Sequence, residues 1–192
     1  VDYSCMKQEG SMKSSDCTLF SGGAKGAEEE FGVQAEKNGV EEVCFTFDGH
    51  STNRKRGVHF LTNEELIKGE VSLVYVSKLM SRSYTHGPKL KKVLQSIWHQ
   101  INNAEEVFVV GKILDDGTVK GGTGWGAEFA KLCNKPLCVF DQDAKEWLKW
   151  NQNRWGKVSP KIKKKHFAGG GTRFLTSEGK KAIADLYAGS FK

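Results

Sequence analysis

Two glycine-rich runs hold the residues best placed to do chemistry: Ser21, Gly22, Gly23, Ala24, Lys25 and Gly26, then Gly121, Gly122, Thr123, Gly124, Trp125 and Gly126. Each follows a short apolar segment and leads into a helical pattern. Glycine in that setting lacks Cβ and lets the backbone approach a phosphate, whose charge the first helical N–H groups and the helix dipole then receive. Ser21, Gly22, Gly23 and Lys25 are the candidate ligand contacts of the first run, and Gly121, Gly122, Thr123, Gly124 and Trp125 those of the second. Neither run ends in the Gly-Lys-Ser/Thr of a Walker loop. Neither is a GxGxxG with an acid at the customary distance, which argues against a dehydrogenase-type dinucleotide site. A tight strand-to-helix turn also needs glycine for purely structural reasons, so each run alone fits either role. Two such turns at the carboxyl ends of parallel strands point to a ligand, because open α/β sheets bind there.

The nearby carboxylates are Glu128, Asp48 and Asp141. Glu128 falls one turn into a helix expected to start near Gly124, where the dipole keeps a carboxylate ionised. A ligand-facing acid and an ordinary exposed first-turn acid both fit that position. Asp141 ends an apolar segment and Asp48 follows one, so both could face one cleft, and aspartates so placed are as often loop formers. The five histidines, His50, His59, His86, His99 and His166, show no metal-ligand spacing. Neither a metal nor a cofactor is expected.

These groups need a scaffold, and the chain alternates short β-branched or aromatic runs with helical patterns. That is the signature of a Rossmann-like α/β fold, a mostly parallel central sheet with helices on both faces. Strands are expected at 18–20, 43–47, 107–113 and 136–141, and the apolar 107–113 suits the centre of a covered sheet. A helix follows the first glycine run and stops at Gly39. Asn63 caps the segment EELIKGEVSLVYVSKLM, whose valine-rich middle fits helix or strand. A further helix starts at Pro88 and presents Leu90, Val93, Leu94, Ile97 and Ile101 on one face. The segment FAGGGTRFLTSEGKKAIADLYAG reads as a third glycine turn, with Thr176 capping a final helix.

With 192 residues, 38% hydrophobic and 27% charged, the chain can bury a core without staples. We expect a flexible N-terminal tail over 1–17 and one domain over 18–192. No apolar run approaches a membrane span, and the N-terminus lacks the apolar segment of a signal peptide. Five cysteines with no CxxC, three of them in apolar stretches, read as reduced thiols of a cytoplasmic protein. The net charge is +6, and between Lys145 and Lys165 eight basic residues face the single acid Glu146, a local +7. A solvated loop accounts for that stretch. Its interleaved Trp147, Trp150 and Trp155 also keep single-stranded nucleic acid in play as a partner.

The segments SGGAKGAEEEFGVQA, VFVVG, KGGTGWGAEFA, KPLCVFDQDAKEW and FAGGGTRFLTSEGKKAI together resemble the SLOG superfamily, and within it the group related to bacterial YpsA. That superfamily also holds the LOG phosphoribohydrolases and the DNA-processing protein DprA. The resemblance runs from about 18 to about 188 and is least specific over 48–104. Against the LOG motif PGGxGTxxE, Gly121, Gly122, Gly124 and Glu128 match, while Lys120 replaces the proline and Trp125 the threonine. The resemblance implies that the glycines hold a 5′-phosphate and that Glu128 works catalytically at the ribose. Tryptophan in place of threonine removes a hydroxyl donor and either stacks on a base or fills the cleft. Arg173 and Arg82 are the candidates for contacting phosphate, each with a bland surface or capping alternative. A homodimer is the assembly expected by resemblance.

The preferred functional expectation is a ligand-sensing or adaptor protein that binds a phosphorylated nucleotide or nucleotide derivative. The alternative is N-glycosidic hydrolysis of a nucleoside 5′-monophosphate, with single-strand binding a lesser one. The half-kept motif preserves the phosphate cradle better than the catalytic set.

Overall fold

The run EVFVVG is buried at every position, as a strand covered on both faces must be. Its alternate residues serve two different cores: Phe108 and Val110 join one, Val107 and Val109 the other. The rest of the architecture follows from that division. The computed structural model describes residues 12–83 and 87–191. After a 3-10 turn at Ser14–Asp16 come β1 (Thr18–Ser21), α1 (Ala27–Lys37), β2 (Glu41–Thr46), β3 (Val58–Phe60), α2 (Asn63–Lys68), α3 (Glu70–Met80) and α4 (Pro88–Asn103). β4 (Glu106–Gly111), α5 (Thr123–Leu132), β5 (Leu137–Asp141), β6 (Glu146–Trp150), β7 (Trp155–Lys157), β8 (His166–Gly171) and α6 (Ser177–Ser190) complete the chain.

The strands form one sheet in the order β3-β2-β1-β8-β4-β5-β6-β7, parallel except for β6 and β7. On one face α1 and α6 cover Leu19, Phe108, Phe140 and Phe167 through Phe31, Ile183 and the buried Tyr187. Tyr187 donates its hydroxyl to the carbonyl of Phe31 at 3.1 Å, which ties the two helices together. On the other face α3, α4 and α5 cover Val107, Val109, Val139 and Ala168. The Rossmann-like α/β architecture expected from the sequence is therefore present. No helix among the described residues is long and apolar enough to cross a membrane.

Several local expectations change. Thr62, not Asn63, caps α2, and it does so with a reciprocal capping box to Glu65. The valine-rich segment after it is helical, broken once at Gly69. Glycines 169–171 do not form a turn. They end β8, which lies between β1 and β4, and a Cβ on Gly169 would stand 2.5 Å from the ring of Phe31. The basic stretch is not a plain loop, because it supplies the edge hairpin β6–β7, turned at residues 151–154. Trp147 packs edge-on against Phe108 and Phe140, while Trp150 and Trp155 meet at 5.1 Å on the opposite face. Packing also begins ahead of residue 18: Met12 lies on the first core and Cys17 is wholly buried. The rest of the expected tail, 1–11, lies outside the described residues.

Candidate functional site

From β1 the chain moves outward to β2 and β3, and from β4 it moves the other way to β5, with α1 and α5 on opposite faces. The carboxyl ends of β1, β8 and β4 therefore meet where the winding reverses, the usual ligand position in an open α/β sheet. A cleft of about 550 Å³ opens there, a volume suited to a nucleotide-sized molecule. Its floor is apolar, made by Val93, Ile97 and Ile101 of α4 with Val107, Val109 and Ala168 of the sheet. Its polar rim carries Glu28, His50, Gln100, Lys112, Lys120, Thr123, Gln142 and Arg173.

Of the expected contacts, Gly121, Gly122, Thr123 and Arg173 line this cleft. The turn that presents them is built from an excursion: Lys120 N–H bonds the carbonyl of Lys112 at 2.9 Å, and Ile113 bridges to Val119. Gly121 then takes a φ of +71°, a left-handed conformation that suits glycine, and Gly122 caps α5. Both glycines are exposed, with open space where a Cβ would stand. The first turn of α5 contains no acid. Arg82 does not reach the cleft. It donates to the carbonyl of Val119 at 3.0 Å and to the Thr118 hydroxyl at 2.8 Å, and so holds the excursion in place.

The other expected contacts lie elsewhere. Gly124 is buried, and a Cβ there would meet the carbonyl of Val119. Trp125, 6% exposed, fills the second core and offers no stacking face. Ser21 is wholly buried, and among the described residues its hydroxyl is the one buried side-chain polar atom without a hydrogen-bond partner. Gly22 is buried and Lys25 exposed, and neither they nor Gly23 line the cleft. Glu128 stands two residues beyond Gly126, about 200° round the helix from the cleft-lining glycine. Its carboxylate pairs at 2.6 Å with Lys131, whose ammonium lies 3.9 Å from the ring centre of Trp150. Asp141 accepts backbone N–H groups from Ile113, Asp143 and Ala144, which makes it a loop former.

Two acids line the cleft: Asp143, which pairs with Lys112, and Glu28, in the first turn of α1. Burial pushes the Glu28 carboxyl up to about 7, opposed by the N–H of Ala24, the charge of Arg173 and the N–H of Gly22. The Ala24 N–H donates to Oε2 at 3.0 Å, so the first glycine turn already holds a carboxylate of its own. Beside it, His50 Nδ1 lies 3.0 Å from the Thr46 hydroxyl and the ring stacks on Phe47. Burial, then the charges of Arg173 and Lys89, lower the pKa of His50. Lys112 pairs with Asp143 at 2.5 Å, whereas among the described residues neither Lys120 nor Arg173 makes a close ion pair, although the charge of Arg173 reaches Glu28. Sequence reasoning missed Glu28, although it sits two residues past the last glycine of the run. His50, Gln100 and Gln142 come from distant segments and carried no local signal.

No family model matches the chain. No curated protein matches it either. Among solved structures it is similar to a proposed molybdenum carrier protein from Syntrophus aciditrophicus, with a TM-score of 0.54 and 15% identity over 92% of this chain and 96% of that one. At that identity the likeness is one of fold, and it extends over nearly the whole of both chains.

Proposed function

We propose that the cleft binds a phosphorylated nucleotide or nucleotide derivative, and that the protein serves as a ligand-sensing or adaptor member of the SLOG type. The observation that carries this reading is the open N-terminus of α5. Gly121, Gly122 and Thr123 face the cleft, the first helical turn has no acid, and the cations of Lys120 and Arg173 stand on the same rim. The apolar floor behind them accommodates the rest of the ligand. The carrier description of the similar solved protein favours holding a ligand over transforming it. The test is calorimetric titration with ribose 5-phosphate and a panel of nucleoside 5′-monophosphates. Binding is expected for the wild type and lost in Gly122→Asp, and a folded variant with unchanged affinity defeats the reading.

One observation favours N-glycosidic hydrolysis as a second reading: a carboxyl held near neutrality lines the cleft. That acid is Glu28, so the acid assigned to the ribose moves from Glu128 to Glu28. Release of free base from a nucleoside monophosphate by the wild type, and its loss in Glu28→Gln, supports this reading. No release over hours leaves binding alone.

A further inference from the structure

The phosphate reading leaves open what recognises the rest of the ligand. Phe174 lines the cleft and is 87% exposed, the most exposed of the large hydrophobic side chains among the described residues. Its backbone is not loose. The N–H of Phe174 donates to the Thr172 hydroxyl at 3.1 Å, and its carbonyl accepts from Gln142 Nε2 at 3.1 Å. The Oε1 of the same Gln142 accepts from the N–H of Thr176 at 2.8 Å and from its hydroxyl at 3.1 Å. At the base of the loop, Thr172 N–H bonds the carbonyl of Val110, and its own carbonyl takes the N–H of Ala27. The loop is thus fixed at 172, 174 and 176 while its aromatic ring remains in water. Trp125, the aromatic that sequence places at the glycine turn, is spent in the core.

We propose that Phe174 is the stacking platform for a flat heterocycle carried by the same ligand whose phosphate sits on Gly121, Gly122 and Thr123; this rests on the phosphate reading above. Phe174 and the Gly121, Gly122 and Thr123 turn line one cleft of about 550 Å³, a size that suits a single nucleotide. Stacking on a fixed phenyl ring is tolerant of base identity, because every base has a π-face. The ligand class is therefore a nucleoside 5′-phosphate or a similar phosphorylated heterocycle, selected for a ring at this position more than for a hydrogen-bonded edge.

The experiment titrates wild type, Phe174→Ala and Phe174→Trp with ribose 5-phosphate and with AMP, GMP, CMP and UMP. The wild type is expected to bind the tightest monophosphate at least tenfold better than ribose 5-phosphate. Phe174→Ala should erase most of that advantage, a loss of about five- to a hundredfold, while leaving ribose 5-phosphate affinity and thermal stability unchanged. Phe174→Trp should retain it. Equal wild-type affinity for sugar phosphate and nucleotides overturns the proposal, as does nucleotide affinity that survives Phe174→Ala. Both results leave the phosphate site standing. Failure of the wild type to bind ribose 5-phosphate or any nucleotide overturns the phosphate reading, and this proposal with it.

Discussion

The two glycine turns begin alike, a strand running into glycines and then a helix, and they end in opposite electrostatic states. The first leads into α1, whose opening turn carries Glu28, Glu29 and Glu30, and the Glu28 carboxylate folds back onto the N–H of Ala24. The second leads into α5, whose opening turn has no acid, and its Gly121 and Gly122 face open space. A helix N-terminus favours one anion, and whether that anion is built in or recruited depends on where the first carboxylate falls in the sequence. Glu28 is the second residue of its helix and closes the turn. Glu128 is the sixth residue of its helix and cannot.

The largest test of this contrast is to give the second turn an acid. Gly122→Asp should lower affinity for ribose 5-phosphate by at least about a hundredfold, because a carboxylate then occupies the anion position. Calorimetry on the folded variant measures it. Next in size, Arg82→Ala removes the bonds that hold Val119 and Thr118. Without them the excursion carrying the open turn loses its shape, and affinity should fall about tenfold, with the secondary structure intact by circular dichroism.

Glu28 gives the contrast a pH dependence of several-fold. Its carboxyl ionises near 7, and the ionised form repels an anion in the cleft, so phosphate-ligand affinity should fall as pH rises from about 6 to 8. Glu28→Gln should abolish this component, and comparing the two proteins at each pH cancels the ligand's own ionisation near 6. Stability follows the same group. A carboxyl raised in the folded state from 4.5 to about 7 contributes stability that is full below the unfolded value and is lost as pH climbs through the folded one. Glu28→Gln should therefore gain about 2–3 kcal/mol on wild type between pH 5 and pH 8 by urea denaturation.

The smallest effect on ligand affinity belongs to Glu128→Gln. It should leave nucleotide binding unchanged and cost about 1–2 kcal/mol of stability, since it weakens a largely buried pair that pins Lys131 between α5 and the edge hairpin. A drop in affinity would return Glu128 to the site and break the comparison.

Elements with one clean period were legible in the sequence. β4 shows as an unbroken apolar run, and α4 as a one-sided stripe with proline at its start. The β6–β7 hairpin was hidden because Trp147 packs on one face of the sheet and Trp150 on the other, with Leu148 and Lys149 between, so no alternation marks a strand. The glycines of β8 misled in the other direction: they look like a turn, but Gly169 is there because Phe31 crosses the strand closely, and Gly171 lies against the carbonyl of Val110. Of the residues singled out in sequence, Gly121, Gly122, Thr123 and Arg173 line the cleft, whereas Gly124, Trp125 and Glu128 do not. Glu128 is kept from it by a small difference in register. A helix expected near Gly124 begins at Thr123 under a Gly122 cap, and with Glu128 sixth in it, the carboxylate leaves the first turn and faces the hairpin.

The position of β8 also sets a clock on the cleft. Among the described residues it follows every other strand in the chain, and it joins β1 to β4, which do not pair with each other. Until the ribosome has delivered residues 166–174, the strands from β1 to β3 and those from β4 to β7 have no hydrogen-bonded ladder between them. Ala168, Arg173 and Phe174 are then missing from the lining of the cleft. Contacts of such long sequence separation slow folding and come late. A nascent chain of this protein is therefore without a complete cleft until residue 174 has been made, and a molecule bound in that cleft would stabilise only chains folded past that point.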